Sequence, residues 1–116
     1  MSIPKDYKEL LQSIAGMTDD GRVKWKSDGH SVELKLENDR LFLWAGTDER
    51  TEDGFVSFAL RDLSGNTLDT WYVDAGSVDY DFMNRLYLAA KRLALGIPSR
   101  LASIRESIAK SKTLGE

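Results

Sequence analysis

A chain of 116 residues and 13.0 kDa has room for one domain. With 41% apolar and 30% charged residues it can bury a core, and without cysteine it has no disulfides, thiol nucleophiles or Cys-ligated metals. A net charge of −3 and a pI of about 5.2 count against nucleic-acid binding by the surface as a whole.

The first predicted element is a helix over about 3–15. Ser2 is placed as its N-cap, Pro4 in its first turn and Asp6 at the positive end of its dipole. Ile3, Tyr7, Leu10, Leu11 and Ile14 recur at steps of three and four, and Gly16 is read as the stop. After Asp19-Asp20-Gly21 the period changes to two. Strands are predicted at about 22–27, 31–37, 40–46, 54–61 and 67–74, separated by turns such as Ser27-Asp28-Gly29-His30 and Ser64-Gly65-Asn66. The run Leu41-Phe42-Leu43-Trp44-Ala45 is apolar at both parities, which predicts a central strand covered on both faces. Short connections imply an antiparallel meander.

Helices are predicted over about 78–95 and 98–112. Ser77 or Asp79 caps the first, and Phe82, Leu86, Ala89, Ala90 and Leu93 form its buried stripe. Gly96 and Pro98 make the corner, and Leu101, Ile104 and Ile108 form a narrower stripe beyond it; Ser111 to Glu116 is expected to fray. The expected fold class is therefore α+β: a meander of about five strands with one helix before it and two helical segments after, as a single domain over 1–116.

Met1–Leu10 carries Asp6 and Glu9 and no apolar run of the signal-peptide kind. No stretch nears the roughly 18 apolar residues of a membrane span. A soluble, cytoplasmic protein without membrane contact is the expectation.

Catalytic constellations are thin. His30 is the one histidine, sits in a turn, and has no Gly-x-Ser-x-Gly elbow to serve. Asp19-Asp20 and Asp79-x-Asp81 suit a hard cation, yet both coincide with turn or cap positions. No glycine-rich phosphate loop is present. Neither a cofactor nor a metal is expected.

Partner-binding candidates are more numerous. Trp44, Trp71 and Tyr72 stand on strands beside other apolar residues, so one of each neighbouring pair must face away from the core. The ordinary alternative is that all are core aromatics. Charge is also segregated: acids prevail from Met17 to Asp81, whereas Arg85, Arg92, Arg100 and Arg105 belong to a basic C-terminal stretch. Such helices are equally explained as solvated faces.

The chain resembles a broad group of small uncharacterised bacterial α+β proteins. The shared features are the N-terminal amphipathic helix, a Lys-Trp-Lys first strand (Lys24-Trp25-Lys26) and an Asp-x-x-Gly-Asn reversal (Asp62 to Asn66). A helix of the form Leu-Tyr-x-x-Ala-x-Arg-x-Ala-Leu-Gly completes the set. Here it reads Leu86 to Gly96. The resemblance implies an accessory or partner-binding role and no catalytic residues.

The expected function is thus a non-enzymatic protein-interaction or regulatory module, binding another protein or itself as a homodimer. Nucleic-acid or nucleotide binding by the basic C-terminal helices is the second reading, and a divalent-cation-dependent carboxylate enzyme the third.

Overall fold

From Trp25 to Asp74 the alternation of apolar and polar residues resolves into five strands of one antiparallel sheet, in a computed structural model that describes residues 2–115. The strands are β1 (Trp25–Ser27), β2 (Val32–Lys35), β3 (Asp39–Thr47), β4 (Gly54–Asp62) and β5 (Thr67–Asp74). They lie side by side in chain order, as expected for strands joined by short reversals. Helix α1 (Lys5–Asp19) precedes them; α2 (Tyr80–Ala94) and α3 (Ile97–Lys110) follow. The architecture is α+β, with α1 and α2 on one face of the sheet.

One parity of each strand builds the core. Trp25, Val32, Leu34, Leu41, Leu43, Val56, Phe58, Trp71 and Val73 are buried against Tyr7, Leu11 and Ile14 of α1 and Met83, Leu86 and Ala90 of α2. The stripe of α2 therefore centres on Met83, where the sequence pattern suggested Phe82 and Ala89. Phe58, fully buried, stacks on Trp71 with ring centroids 4.7 Å apart, and Tyr7 meets its edge at 4.9 Å.

Three polar anchors hold α1 in place. Tyr7 donates its hydroxyl hydrogen to Asp69 Oδ2 at 2.8 Å. The Ile3 N–H donates to buried Asp79 Oδ2 at 2.8 Å, tying the start of α1 to the start of α2. At the other end Trp25 Nε1 donates to Thr18 Oγ1, which itself donates to the Ile14 carbonyl. This last contact explains why α1 passes through Gly16 and ends at Asp19. The indole holds the final turn, and the chain closes with the N–H groups of Asp20 and Gly21 on the Gly16 and Thr18 carbonyls. Ser2 does not cap the helix. Pro4 occupies that position with no side-chain cap, and the Asp79 carboxylate satisfies the free N–H before it.

Two further expectations are corrected. Only Trp25 to Ser27 of the first predicted strand pairs with β2. β3 is central in strand order but covered on one side only: Leu41 and Leu43 are buried, whereas Phe42 and Trp44 remain partly exposed on the far face. Ser111–Gly115 are non-helical, and Glu116 lies outside the described residues.

Gly96, with φ of 68°, turns the chain sharply between α2 and α3. Beyond it α3 touches only α2, and no residue of α3 is buried. The radius of gyration is 16.8 Å. A compact domain of this length has about 13 Å, which fits a helix standing off the body.

Two measurements test this core. Phe58→Ala removes the centre of the aromatic cluster and should lower unfolding free energy by about 3–5 kcal/mol in urea melts; a loss below about 1 kcal/mol contradicts the placement. Burial, helped by the Asp69 hydrogen bond and the charges of Asp69 and Asp6, pushes the Tyr7 phenol up to about 12 from 10.0. The unfolded chain gives up this proton first, so stability should be intact below pH 10 and fall as pH rises towards 12. That part of the alkaline loss should vanish in Tyr7→Phe; identical pH profiles for the two proteins refute the assignment.

Candidate interaction surface

The sheet face turned away from α1 and α2 carries the opposite strand parity, and the register sorts its side chains into rows. Lys35 stands opposite Arg40, and Arg40 opposite Arg61. The next row runs Glu33, Phe42, Ala59 and Thr70, followed by Trp44, Ser57 and Tyr72. A last row joins Gly46, Phe55 and Asp74.

No helix covers these rows, so their large side chains cover their small ones. Ser57 and Ala59 are buried between aromatic neighbours, while Phe42, Trp44 and Phe55 are partly exposed and Tyr72 is 47% exposed. The Phe55 ring lies over Gly46, where a Cβ would come within 2.8 Å of it, and meets Tyr72 edge-on at 6.4 Å. Arg61 lays its guanidinium over Phe42, 4.5 Å from the ring centroid. Arg40 reaches Glu33 at 3.5 Å, too far for a good hydrogen bond. The Nε–H groups of Arg40 and Arg61 are both buried without an acceptor.

A shallow hollow of about 270 Å³ opens beside this strip, lined by Phe42, Trp44, Arg61, Glu33 and the β1–β2 turn. Asp28 shapes that turn. The N–H groups of Ser31 and His30 donate to its carboxylate and hold it below the usual carboxylate range. His30 joins the turn through its backbone N–H, which donates to Asp28 Oδ1 at 2.8 Å. Asp79 is committed to Ile3 and Lys8, and Asp20 to Arg22. Among the described residues no three His, Asp or Glu side chains are grouped to hold a metal ion.

The seven candidate residues are not brought together. Trp44 and Tyr72 share the open sheet face. Trp71, 8% exposed, lies in the core, stacked on Phe58 with its Nε1–H unpartnered. Arg85 and Arg92 are exposed on α2, each lining a cleft that also contains Asp19. Arg100 and Arg105 are exposed on α3. The row Lys35–Arg40–Arg61 escaped the sequence reading because it exists only across three strands. Its one-dimensional signal is a cation at the outward parity of each strand.

Helix α3 is the second unusual surface. Leu101, Ile104 and Ile108 are 40, 54 and 52% exposed, and with Ile97 they occupy alternating a and d positions of a heptad. The flanking g and e positions carry Arg100 and Arg105, and no acid. Among the described residues no helix is long and apolar enough to cross a membrane.

No family model matches the chain, and no match was found among curated proteins or solved structures.

The three tryptophans provide a check on this geometry. Trp25 and Trp71 are buried and Trp44 is on the open face. Trp44→Phe should therefore remove most of the acrylamide-quenchable fluorescence, while Trp25→Phe leaves it in place. Equal quenching in the two variants contradicts an open second face.

Proposed function

We propose that this domain is a non-enzymatic interaction module that offers α3 to an amphipathic helix of another protein, one with acidic flanks. The observation supporting this reading is that α3 keeps a heptad-like apolar seam yet buries none of its residues. A 14-residue helix is marginal by itself, because nucleation is costly and short helices are held mainly by tertiary contacts. An exposed seam of this kind is the half of a helix pair that awaits its complement.

Charge selects the complement. Two parallel copies of α3 would set g-position Arg100 against e-position Arg105, and an antiparallel pair would bring Arg105 towards its own copy. Both arrangements oppose like charges. A partner with Glu or Asp at those flanks gains ion pairs instead, and mixed-sign flanks are how coiled coils choose partners. The seam is also narrow and lacks aromatics, unlike the broad apolar face of helices that lie on membranes.

The test uses two synthetic helices of about 28 residues, four heptads, with Leu at a and d. One carries Glu at e and g, the other Lys. Calorimetry should show binding of the Glu helix, weakened about tenfold or more by Ile104→Asp, and no binding of the Lys helix. Equal binding of both, binding of neither, or indifference to Ile104→Asp defeats the proposal. Light scattering across concentration should give a monomer.

A further inference from the structure

Neighbouring cations on adjacent strands repel, and a sheet built only for stability avoids them. This sheet places three in one row. Lys35, Arg40 and Arg61 stand directly opposite one another across β2, β3 and β4, in a chain whose acids outnumber its bases. Lys26, at the same parity of β1, adds a fourth cation; Glu33 is the acid on these rows, and Asp28 of the β1–β2 turn borders the same hollow as Lys26 and Arg61. Lys35 and Arg61 form no ion pair among the described residues. Arg40 and Arg61 each keep a buried Nε–H without an acceptor. The arrangement has cationic charge and donors in excess of what the fold satisfies.

Beside the cations lie the aromatics. Trp44 and Tyr72 share a row with Ser57 of β4 between them, and the guanidinium of Arg61 lies over Phe42, 4.5 Å from the ring centroid. An aromatic face and a guanidinium plane are both surfaces on which a nucleobase stacks. Strands are about 4.8 Å apart, so this face spans roughly 20 Å, the reach of three or four nucleotides.

We infer that the open sheet face binds single-stranded nucleic acid, with phosphates along Lys35, Arg40 and Arg61 and bases on Trp44 and Tyr72. The charge is local, so a net charge of −3 is no obstacle. A duplex hides its base faces and is a poor fit to a shallow, stacking surface. An acidic peptide satisfies the cations but leaves the aromatics unused. This surface is separate from α3, and the inference stands independently of the helix-binding reading.

The experiment measures fluorescence anisotropy of labelled oligo-dT and oligo-U, about 15 nucleotides long, with the intact protein. Binding should quench Trp44 fluorescence. With about three phosphate contacts, log affinity should fall against log salt with a slope of about −2. Trp44→Ala should weaken binding about tenfold or more. Arg61→Glu should abolish it while the protein stays folded by circular dichroism, because an attracting cross-strand pair with Arg40 offsets the lost contact on Phe42. Ile104→Asp should leave binding unchanged, which separates this result from the fate of the α3 proposal. The inference is overturned by absence of binding, by equal affinity for duplex DNA or poly-glutamate, or by binding that leaves Trp44 unquenched.

Discussion

Phe58 stacks on Trp71 and receives the edge of Tyr7, and from this contact the position of α1 follows. Tyr7 can reach both rings and Asp69 only if the helix crosses above β4 and β5. Asp79 then meets the Ile3 N–H and brings the start of α2 alongside. Met83, Leu86 and Ala90 close over the remaining strands. Helices α1 and α2 are both spent on one face of the sheet, and the remaining helix that could cover the other is α3.

That helix does not cover it. After the turn at Gly96, α3 touches α2 and no strand of the sheet. The far face must then solve its own exposure. It does so by letting Phe42, Trp44, Phe55 and Tyr72 shelter Ser57 and Ala59. Such a device limits the apolar area shown to water without removing it. Arg61 adds to this cover by lying over Phe42, but shelter does not explain why Lys35, Arg40 and Arg61 stand opposite one another, since opposed like charges cost stability.

The two proposed activities therefore sit on surfaces with different physical origins. The seam of α3 is apolar surface left over when the core closed. The row Lys35–Arg40–Arg61 is charge placed against the preference of the sheet. The α2 arginines Arg85 and Arg92 belong to neither, since both flank the acidic end of α1 at Asp19. The basic character of the C-terminal stretch is thus partly internal complementarity and partly a property of α3.

Sequence periodicity by itself determined the five-strand meander, the bounds of β5 and the amphipathic character of all three helices. These rest on local rules: alternation for strands, steps of three and four for helices, and reversals at Gly, Asn and Asp. The end of α1 was not legible, because Gly16 signals a stop and only the distant Trp25 indole overrides it. Nor could alternation say which of Trp71 and Tyr72 enters the core; that depends on which face α1 and α2 choose. Neither the orientation of α3 nor the cationic row has a local cause. Both arise from pairings between residues far apart in the chain, and tertiary structure alone brings those residues together.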